Sequence, residues 1–353
     1  MFLSSPLPMR LFLAALTAFA CAAALTPSVA GLARRVNAID LPGEARRVNR
    51  RAVPRLGGVA ILMGFFTAAL VFLPPRAALG GVMRGALLIA MMGFLDDCFS
   101  LRAPLKLAVQ ILSAVLAWRA GARIEVLSVP LGEARFVTLG SLSLPLTVGW
   151  LVICTNAMNL IDGLDGLAAG VAVIGSVTML FVAAAVSEAE IAVLLAALAG
   201  GCLGFLPYNR SPARIFMGDV GSQTLGYLLG AAAMLGLFKA HALLTFLVPP
   251  AALALPLGDT LFAFTRRALR RQNPLHADRG HIHHILLDHG MGQKQAVWLL
   301  YGVSALSGLL AVALTETGDA ARAIGALTLT CAGATACALI RKRTLARRRR
   351  RAS

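Results

Sequence analysis

The sequence predicts an all-α polytopic membrane protein with about 11 transmembrane helices and one short β-hairpin. Of its 353 residues, 58% are apolar and only 14% are charged, and the mean hydropathy is +0.78. Such values lie far from those of soluble domains. The apolar residues form segments of about 20, the length that spans a hydrocarbon core of ~30 Å. The basic residues cluster in alternate loops, which is the signature of membrane topology.

Taken in chain order, the apolar segments predict helices with one irregular insertion. Between the fourth and fifth of them, β-forming residues alternate around Leu131-Gly132, which predicts a short hairpin on one membrane face. No hydrophilic stretch is long enough for a soluble domain, so 1–353 is expected to form a single integral domain with a basic cytoplasmic tail at 341–353. The predicted spans are 10–32, 56–73, 79–95, 104–121, 144–161, 165–186, 190–207, 222–239, 242–265, 295–314 and 321–340.

The first span has two interpretations. Its apolar run ends at Ser28-Val-Ala30, which resembles a signal-peptide cleavage site. Arg34 and Arg35 follow immediately, as at the cytosolic end of a retained helix. Retention also gives a consistent topology, so an uncleaved first span is favoured.

The basic residues orient the protein. With the N-terminus outside, the loops on one face and the C-terminal tail hold 25 of the 33 Lys and Arg residues. The positive-inside rule makes this face cytoplasmic. The net charge of +17 is not accompanied by an aromatic-basic platform, so no nucleic-acid partner is expected, and the tail is expected to contact anionic lipid. The six cysteines show no metal-ligand spacing and predict no disulfide framework.

Five carboxylates lie at the cytoplasmic ends of predicted spans, where acidic groups normally face a wet cavity, a metal or a partner charge. Two of them are adjacent, Asp96 and Asp97, and can bind a hard cation through oxygen or accept a proton. Lys106 and Gln110 share a face of the next helix. A phosphate group would suit the Lys106 cation, and the alternative is that Lys106 is a charge partner for Asp96 or Asp97.

The other three carboxylates lie in two glycine-containing motifs. Asn156-Ala-Met-Asn-Leu-Ile-Asp-Gly-Leu-Asp-Gly166 repeats a polar residue at every third position, through Asn159 and Asp162 to Asp165. Amides and carboxylates at this spacing can read a nucleobase or a sugar edge by hydrogen bonding. Asp219 lies between Gly218 and Gly221 just before another apolar span, which suggests an anion that arrives with its metal.

A histidine cluster follows in the last predicted cytoplasmic loop. Arg279, His281, His283 and His284 form a cationic or metal-binding group. Phosphate or pyrophosphate contact suits them better than zinc, because no cysteine joins them. Asp259, about 10 Å from the cytoplasmic end of its predicted span, is either a site residue or the buried partner of an arginine.

Together these motifs resemble the polyprenyl-phosphate N-acetylhexosamine-1-phosphate transferases. The resemblance runs from Asp40-Leu-Pro42 and Arg55-Leu-Gly-Gly58 through Asn159-Leu-Ile-Asp-Gly-Leu-Asp-Gly-Leu167 and Phe216-Met-Gly-Asp-Val-Gly-Ser222 to His284. The segment Asp278-Arg-Gly-His-Ile-His-His284 looks like the branch that transfers N-acetylglucosamine-1-phosphate to undecaprenyl phosphate. Asn49 and Arg55 stand in a loop where the family often has His or Lys.

The resemblance implies roles for these residues. Asp219 would be a magnesium ligand with Asn159 beside it, and Asp96 and Asp97 would lie near the metal and the lipid phosphate. Asn159, Asp162 and Asp165 would belong to the nucleotide-sugar site. The cofactor implied is Mg²⁺, with Mn²⁺ as a substitute.

The activity expected from the resemblance is transfer of a sugar-1-phosphate from a UDP-N-acetylhexosamine to undecaprenyl phosphate, with release of UMP. It would be the first membrane step of a cell-envelope polysaccharide such as lipopolysaccharide. The setting implied is the bacterial cytoplasmic (inner) membrane, with the active site cytoplasmic and the hairpin periplasmic. Partners would be the two substrates and membrane lipid, and a homodimer is compatible with the sequence. The alternatives are a phospho-N-acetylmuramoyl-pentapeptide transferase or, from another class, a secondary transporter, which would place its carboxylates nearer the bilayer midplane.

Overall fold

A computed structural model describes residues 5–41, 52–129, 135–237, 248–269 and 280–317. In these residues the protein is mainly helical, and six helices are long and apolar enough to cross a membrane. The other six described helices, α2, α4, α8, α9, α10 and α11 below, are shorter. The predicted total of 11 spans is therefore not confirmed, and the last predicted span and the basic tail lie outside the described residues. The helices are α1 Leu7–Arg35, α2 Gly57–Phe72, α3 Ala77–Phe99, α4 Ala103–Arg119, α5 Ser143–Ile161, α6 Leu167–Ala185, α7 Ala189–Asn209, α8 Gly218–Ala232, α9 Val248–Ala252, α10 Ala254–Leu269, α11 Ile282–Asp288 and α12 Gln293–Thr317.

Most helix positions agree with the apolar segments, because backbone groups in hydrocarbon must be satisfied within the helix itself. The predicted span 242–265 differs. Its first residues lie outside the described part, and the remainder forms two short helices, α9 and α10. The α8 helix continues into a π-helical turn at Ala233–Leu237.

The predicted hairpin is present as β3 (Val126–Val129) paired antiparallel with β4 (Arg135–Thr138), with Val126 opposite Thr138. The side of the membrane on which it lies stays a prediction. A second strand pair was not predicted: β1 (Ile39–Asp40) pairs with β2 (Val53–Pro54), placing Asp40 opposite Val53. The two strands are too short to show a periodic pattern in the sequence.

The helices are arranged around α7 and α8. The α1 helix lies against α7 and α2, while α3 and α5 both lie against α8. The helix α12 is anchored to α6 by a hydrogen bond of 2.5 Å from the Tyr301 hydroxyl to the carbonyl of Gly166. This arrangement brings the ends of α3, α5 and α7 and the beginnings of α4, α6 and α8 together at one end of the bundle.

Candidate active site

The N-terminus of α8 is built around a glycine that no other residue could replace. Gly218 has φ +74°, and an added Cβ would overlap Oδ2 of Asp97 and the carbonyl oxygen of Arg55. Because only glycine adopts this backbone freely, the loop can turn tightly into the helix. Hydrogen bonds from Gly57 and Gly58 to the carbonyls of Phe216 and Met217, each 2.8 Å, hold the loop against the start of α2.

Asp97 caps this helix from α3. Its Oδ1 accepts the backbone N–H of Asp219 at 3.0 Å, and its Oδ2 accepts that of Val220 at 3.1 Å. Arg55 also binds Oδ1, at 2.9 Å from its terminal nitrogen. The Asp97 side chain is completely buried, so every oxygen contact it makes is directed at the protein.

Asp219 is the centre of the polar network. Its Oδ1 accepts a hydrogen bond from Asn159 at 3.1 Å, and Arg55 lies 4.0 Å away. Its Oδ2 is 3.2 Å from the ammonium of Lys106 and 2.7 Å from the amide nitrogen of Gln223. The side chain stays 17% exposed, so Asp219 still faces the solvent-accessible space in front of α8.

Lys106 joins two acidic groups. Its ammonium lies 3.0 Å from Oδ2 of Asp96 as well as 3.2 Å from Asp219. The other oxygen of Asp96 accepts the backbone N–H of Leu101 at 2.7 Å, which fixes the turn between α3 and α4. The predicted charge partnership of Lys106 with Asp96 is therefore present in the structure.

A chain of amide side chains runs from Asp219 into the bundle. Gln223 accepts a hydrogen bond from Gln110 at 2.8 Å, and Gln110 accepts one from Asn156 at 2.8 Å. Asn156 also donates to the carbonyl of Val152 at 2.8 Å. Since each amide has one acceptor and one donor end, this sequence of contacts directs the donor end of Gln223 toward Asp219.

The turn between α5 and α6 supplies the second acidic group. Gly166 has φ +81° and starts α6 in a left-handed conformation that favours glycine. Asp165 accepts the backbone N–H of Ala213 at 3.1 Å, and Asn209 accepts that of Gly166 at 3.0 Å. These contacts tie the turn to the segment before α8, so Asp165 has a structural contact in addition to its place near the site.

A polar cavity of about 350 Å³ opens between these elements. Five of the predicted site residues line it: Asn159, Asp162, Asp165, Asp219 and His284. The other lining residues are Asp40, Arg55, Gly163, Leu164, Asn209, Phe216, Gly218 and Gln293.

Asp162 and Arg55, which both line this cavity, have altered pKa values. Burial, together with the negative charges of Asp219 and Asp97, raises the pKa of Asp162 to about 7, although Arg55 opposes the shift. Burial alone would lower the pKa of Arg55, but the carboxylates of Asp97 and Asp219 raise it above its usual value. Arg55 is therefore a permanent cation at the mouth of an acidic site.

The histidine cluster is divided between the interior and the cavity. His281 is buried and lies 2.8 Å from Oδ2 of Asp259 through its Nδ1. His283 is also buried, and its ring lies against Gly163. Burial and the neighbouring His284 lower the pKa of His283 to about 4. His284 is the member of the three that lines the cavity. Arg279 lies outside the described residues.

The other predicted residues lie behind the cavity wall. Asp96, Asp97 and Lys106 reach the site through Asp219, whereas Asn156 lies deeper, on the amide chain. Asp259 proves to be the buried partner of a histidine, not of an arginine, within the described residues.

Sequence reasoning missed Asn209, Gln223 and Gln293, and it noted Asp40 and Arg55 only as part of the family resemblance, although both line the cavity. Asn209 ends the apolar helix α7, and Gln293 begins α12, so both are polar groups at helix ends. Gln223 lies one turn after Asp219, and that spacing on one helix face was a usable signal.

The oxygen atoms that remain available indicate which residues could hold a metal. Asn159 donates through its nitrogen to Asp219 and, at 2.9 Å, to Ser222, which leaves its amide oxygen for other contacts. No three acidic, histidine or cysteine side chains converge as a complete ligand set in the described part of the chain. Mg²⁺ is commonly held by one or two carboxylates together with water and substrate phosphates, and Asp219 with Asn159 is compatible with that mode.

Comparison with known proteins shows the family to which the chain belongs. Residues 79–237 match the model of glycosyl transferase family 4. A probable undecaprenyl-phosphate N-acetylglucosaminyl 1-phosphate transferase of Bacillus subtilis (strain 168) is 38% identical over 82% of this chain and 81% of its own. A decaprenyl-phosphate N-acetylglucosaminephosphotransferase of Mycolicibacterium smegmatis is 36% identical over 83% of this chain and 80% of its own.

A phospho-N-acetylmuramoyl-pentapeptide-transferase of Symbiobacterium thermophilum is 38% identical over 86% of this chain and 95% of its own. These alignments cover more than two thirds of both chains. The region that the family model matches, residues 79–237, includes Asp96, Asp97, Asp162, Asp165 and Asp219. The protein is a multi-pass membrane member of glycosyl transferase family 4.

Proposed function

We propose that this protein transfers a sugar-1-phosphate, N-acetylglucosamine-1-phosphate above all, from a UDP-sugar to undecaprenyl phosphate and releases UMP. The observation that carries the proposal is the cluster of Asp96, Asp97 and Asp219 with Arg55 and Lys106 beside a polar cavity at one end of an apolar bundle. A soluble nucleotide sugar and a membrane-anchored phosphate could meet only at such an end. The names of the relatives from Bacillus subtilis and Mycolicibacterium smegmatis support N-acetylglucosamine as the sugar. The resemblance of the histidine segment 278–284 favours the same sugar.

Mg²⁺, or Mn²⁺ in its place, is proposed as the cofactor. Asp96, Asp97 and Asp219 contact two basic side chains, Arg55 and Lys106, and three further carboxylates, Asp40, Asp162 and Asp165, line the same cavity. Carboxylates therefore outnumber cations here, and a divalent cation would reduce the excess negative charge, since buried charge is costly without such balance. Asp219 and Asn159 are the residues that would hold it. When bound, the ion neutralises charge on the diphosphate and on the departing UMP.

The chain's own residues would orient the two substrates. Lys106, between Asp96 and Asp219, is the cation that can contact the lipid phosphate, while Arg55 and His284 face the nucleotide-sugar cavity. A phosphate monoester has its second pKa near 6 and is therefore largely dianionic at neutral pH, so it needs no general base. An oxygen of the lipid phosphate attacks the β-phosphorus of the UDP-sugar. The bond between this phosphorus and the oxygen of UMP breaks, and UMP leaves with the bonding electrons.

Direct displacement is favoured over a phospho-aspartate intermediate. Both oxygens of Asp97 are engaged, and its side chain is completely buried. The Asp96 side chain is only 8% exposed, with one oxygen on Leu101 and the other on Lys106. A labelled aspartate, found after incubation with labelled UDP-sugar in the absence of lipid, would contradict direct displacement.

The proposed setting is the bacterial inner membrane with the active site on the cytoplasmic side. Its support is the concentration of basic residues in the loops that flank the acidic clusters. Supply of a nucleotide sugar from the cytoplasm is consistent with that orientation.

The test is Mg²⁺-dependent UMP release from a panel of UDP-sugars with undecaprenyl phosphate. The panel includes UDP-N-acetylmuramoyl-pentapeptide, because the Symbiobacterium thermophilum relative keeps that substrate open. We expect UDP-N-acetylglucosamine to react fastest and a chelator to stop the reaction. Asp219→Asn should lower the rate by about a hundredfold or more, whereas Asp288→Asn, an exposed carboxylate of α11, should leave it unchanged. Full turnover in Asp219→Asn would mean that the proposed site is wrong.

A further inference from the structure

Asp259 makes two hydrogen bonds to the start of another helix. It lies on α10 and is buried. Its Oδ2 is 2.8 Å from Nδ1 of His281, and its Oδ1 accepts the backbone N–H of Ile282 at 2.7 Å. An ionised carboxylate only accepts hydrogen bonds, so Nδ1 of His281 must carry a hydrogen.

Both contacts fall where α11 begins. His281 is the residue before the helix, in an extended conformation, and its own side chain makes no capping hydrogen bond. The first N–H groups of a helix have no partner inside the helix. Asp259, more than 20 residues earlier in the chain, supplies such a partner for one of these N–H groups. This contact fixes the residue at which α11 starts.

The position of α11 determines the wall of the cavity. The ring of His283 lies nearly parallel to that of His281, with centroids 5.9 Å apart, and 4.3 Å from that of His284. His283 also contacts Gly163, in the turn that carries Asp162 and Asp165. Through these contacts a displacement of the start of α11 would move His284 and press on the acidic turn.

We propose that Asp259 is a positioning residue that places His284 in the nucleotide-sugar cavity by holding His281 and the first N–H of α11. The inference rests on the proposed function, because it assumes that the cavity binds the nucleotide. Asp259 itself does not line the cavity, so its effect on substrate is exerted through α11.

The kinetic test compares Asp259→Ala with Asp259→Asn. The alanine variant loses both contacts, and we expect its KM for the UDP-sugar to rise about tenfold or more, with a smaller change in kcat, because small displacements of binding groups have large effects. The asparagine variant can accept the Ile282 N–H and donate to the other tautomer of His281, so it should recover most of the affinity. Leu261→Ala, an exposed position two residues further on α10, is the matched control and should behave as the unmodified protein.

His281→Asn separates positioning from direct participation by the imidazole. An asparagine amide can donate to Asp259 from nearly the place of Nδ1, but it has no equivalent of Nε2. Near-normal turnover in this variant supports positioning. A loss as large as that in Asp259→Ala would overturn the proposal, because the ring itself would then be needed. Combining Asp259→Ala with His284→Ala should raise KM by less than the product of the two separate increases, because part of the effect of Asp259 is exerted through His284, and fully additive effects would also contradict the proposal.

A chemical readout is independent of the enzymatic activity. Diethylpyrocarbonate modifies exposed histidines, and mass spectrometry can assign the modified residue. We expect His281 and His283 to be protected from the reagent in the protein with its natural sequence and in Leu261→Ala. In Asp259→Ala we expect both histidines to react. Protection that persists in Asp259→Ala overturns the positioning role. If reactivity appears as expected but no UDP-sugar releases UMP, the proposed function fails while the role of Asp259 in placing α11 stands.

Discussion

The backbone N–H of Asp219 donates to Oδ1 of Asp97 over 3.0 Å, although the two residues are 122 positions apart. The carboxylate at the centre of the site is therefore placed by another carboxylate that is itself completely buried. Arg55, whose side chain contacts both, offsets the repulsion between them. Two adjacent aspartates in the sequence thus have different tasks, since Asp97 holds a helix start while Asp96 holds Lys106.

Replacing Asp97 by Asn should lower stability as well as activity. An amide has one acceptor oxygen for the two N–H groups of Asp219 and Val220, and its nitrogen is a donor facing donors. We expect the free energy of unfolding to fall by about 1–3 kcal/mol, the cost of an unsatisfied buried group. Thermal unfolding in detergent measures it, with the neighbouring Cys98→Ala as the control. An unchanged transition would contradict the capping role.

Gln110→Met should reduce turnover without removing any group from the cavity. Gln223 then loses the donor that holds its oxygen, so its amide can rotate away from Asp219. Loss of such supporting contacts commonly costs 10- to 100-fold in metal affinity or activity, and we expect roughly tenfold slower UMP release. Ser113→Ala, one turn further on α4, is the matched control because the Ser113 hydroxyl is buried and has no hydrogen-bond partner among the residues that the structure describes. Equal rates in the two variants would mean that the amide chain does not orient Asp219.

Gly163→Ala should separate the acidic turn from α11. An added Cβ at this position would overlap the ring of His283, so either the ring or the turn must move. We expect a rise in KM for the UDP-sugar of about tenfold, since Asp162 and His284 line the same cavity. Gly149→Ala on α5, where no side chain and no other element of the described structure lies within 4 Å of the added carbon, tests the effect of the substitution itself. Similar kinetics in the two variants would show that the contact is dispensable.

His283 should make the protein less stable in mild acid. Its pKa is about 4 in the folded protein and about 6.5 when unfolded. The unfolded chain therefore binds more protons between these values, and stability is lost as the pH falls from about 6.5 toward 4. The slope from this one residue is at most about 1.4 kcal/mol per pH unit.

Thermal unfolding between pH 7 and pH 4.5 measures this dependence. His283→Gln removes the titrating group and should flatten the curve, while His289→Gln, at the far end of α11, should leave it unchanged. If stability depends on pH in the same way in the natural protein and in His283→Gln, His283 is not the group responsible for the loss of stability in acid.

The sequence by itself determined most of the helix positions and the identity of the acidic clusters. Apolar segments of membrane length have one satisfactory backbone conformation, so α3, α5, α6 and α7 lie close to where the composition predicts them. The cost of charge in hydrocarbon likewise singled out Asp96, Asp97, Asp162, Asp165 and Asp219 without any structure.

Only the tertiary structure decided which side chains meet. The strand pair that brings Asp40 and Arg55 to the cavity, the capping of α8 by Asp97 and the pairing of Asp259 with His281 all join residues distant in sequence. Local periodicity carries no information about such contacts, because it describes one helix or strand at a time. For the same reason the histidine cluster looked uniform in the sequence, although the fold buries His281 and His283 and leaves His284 at the cavity.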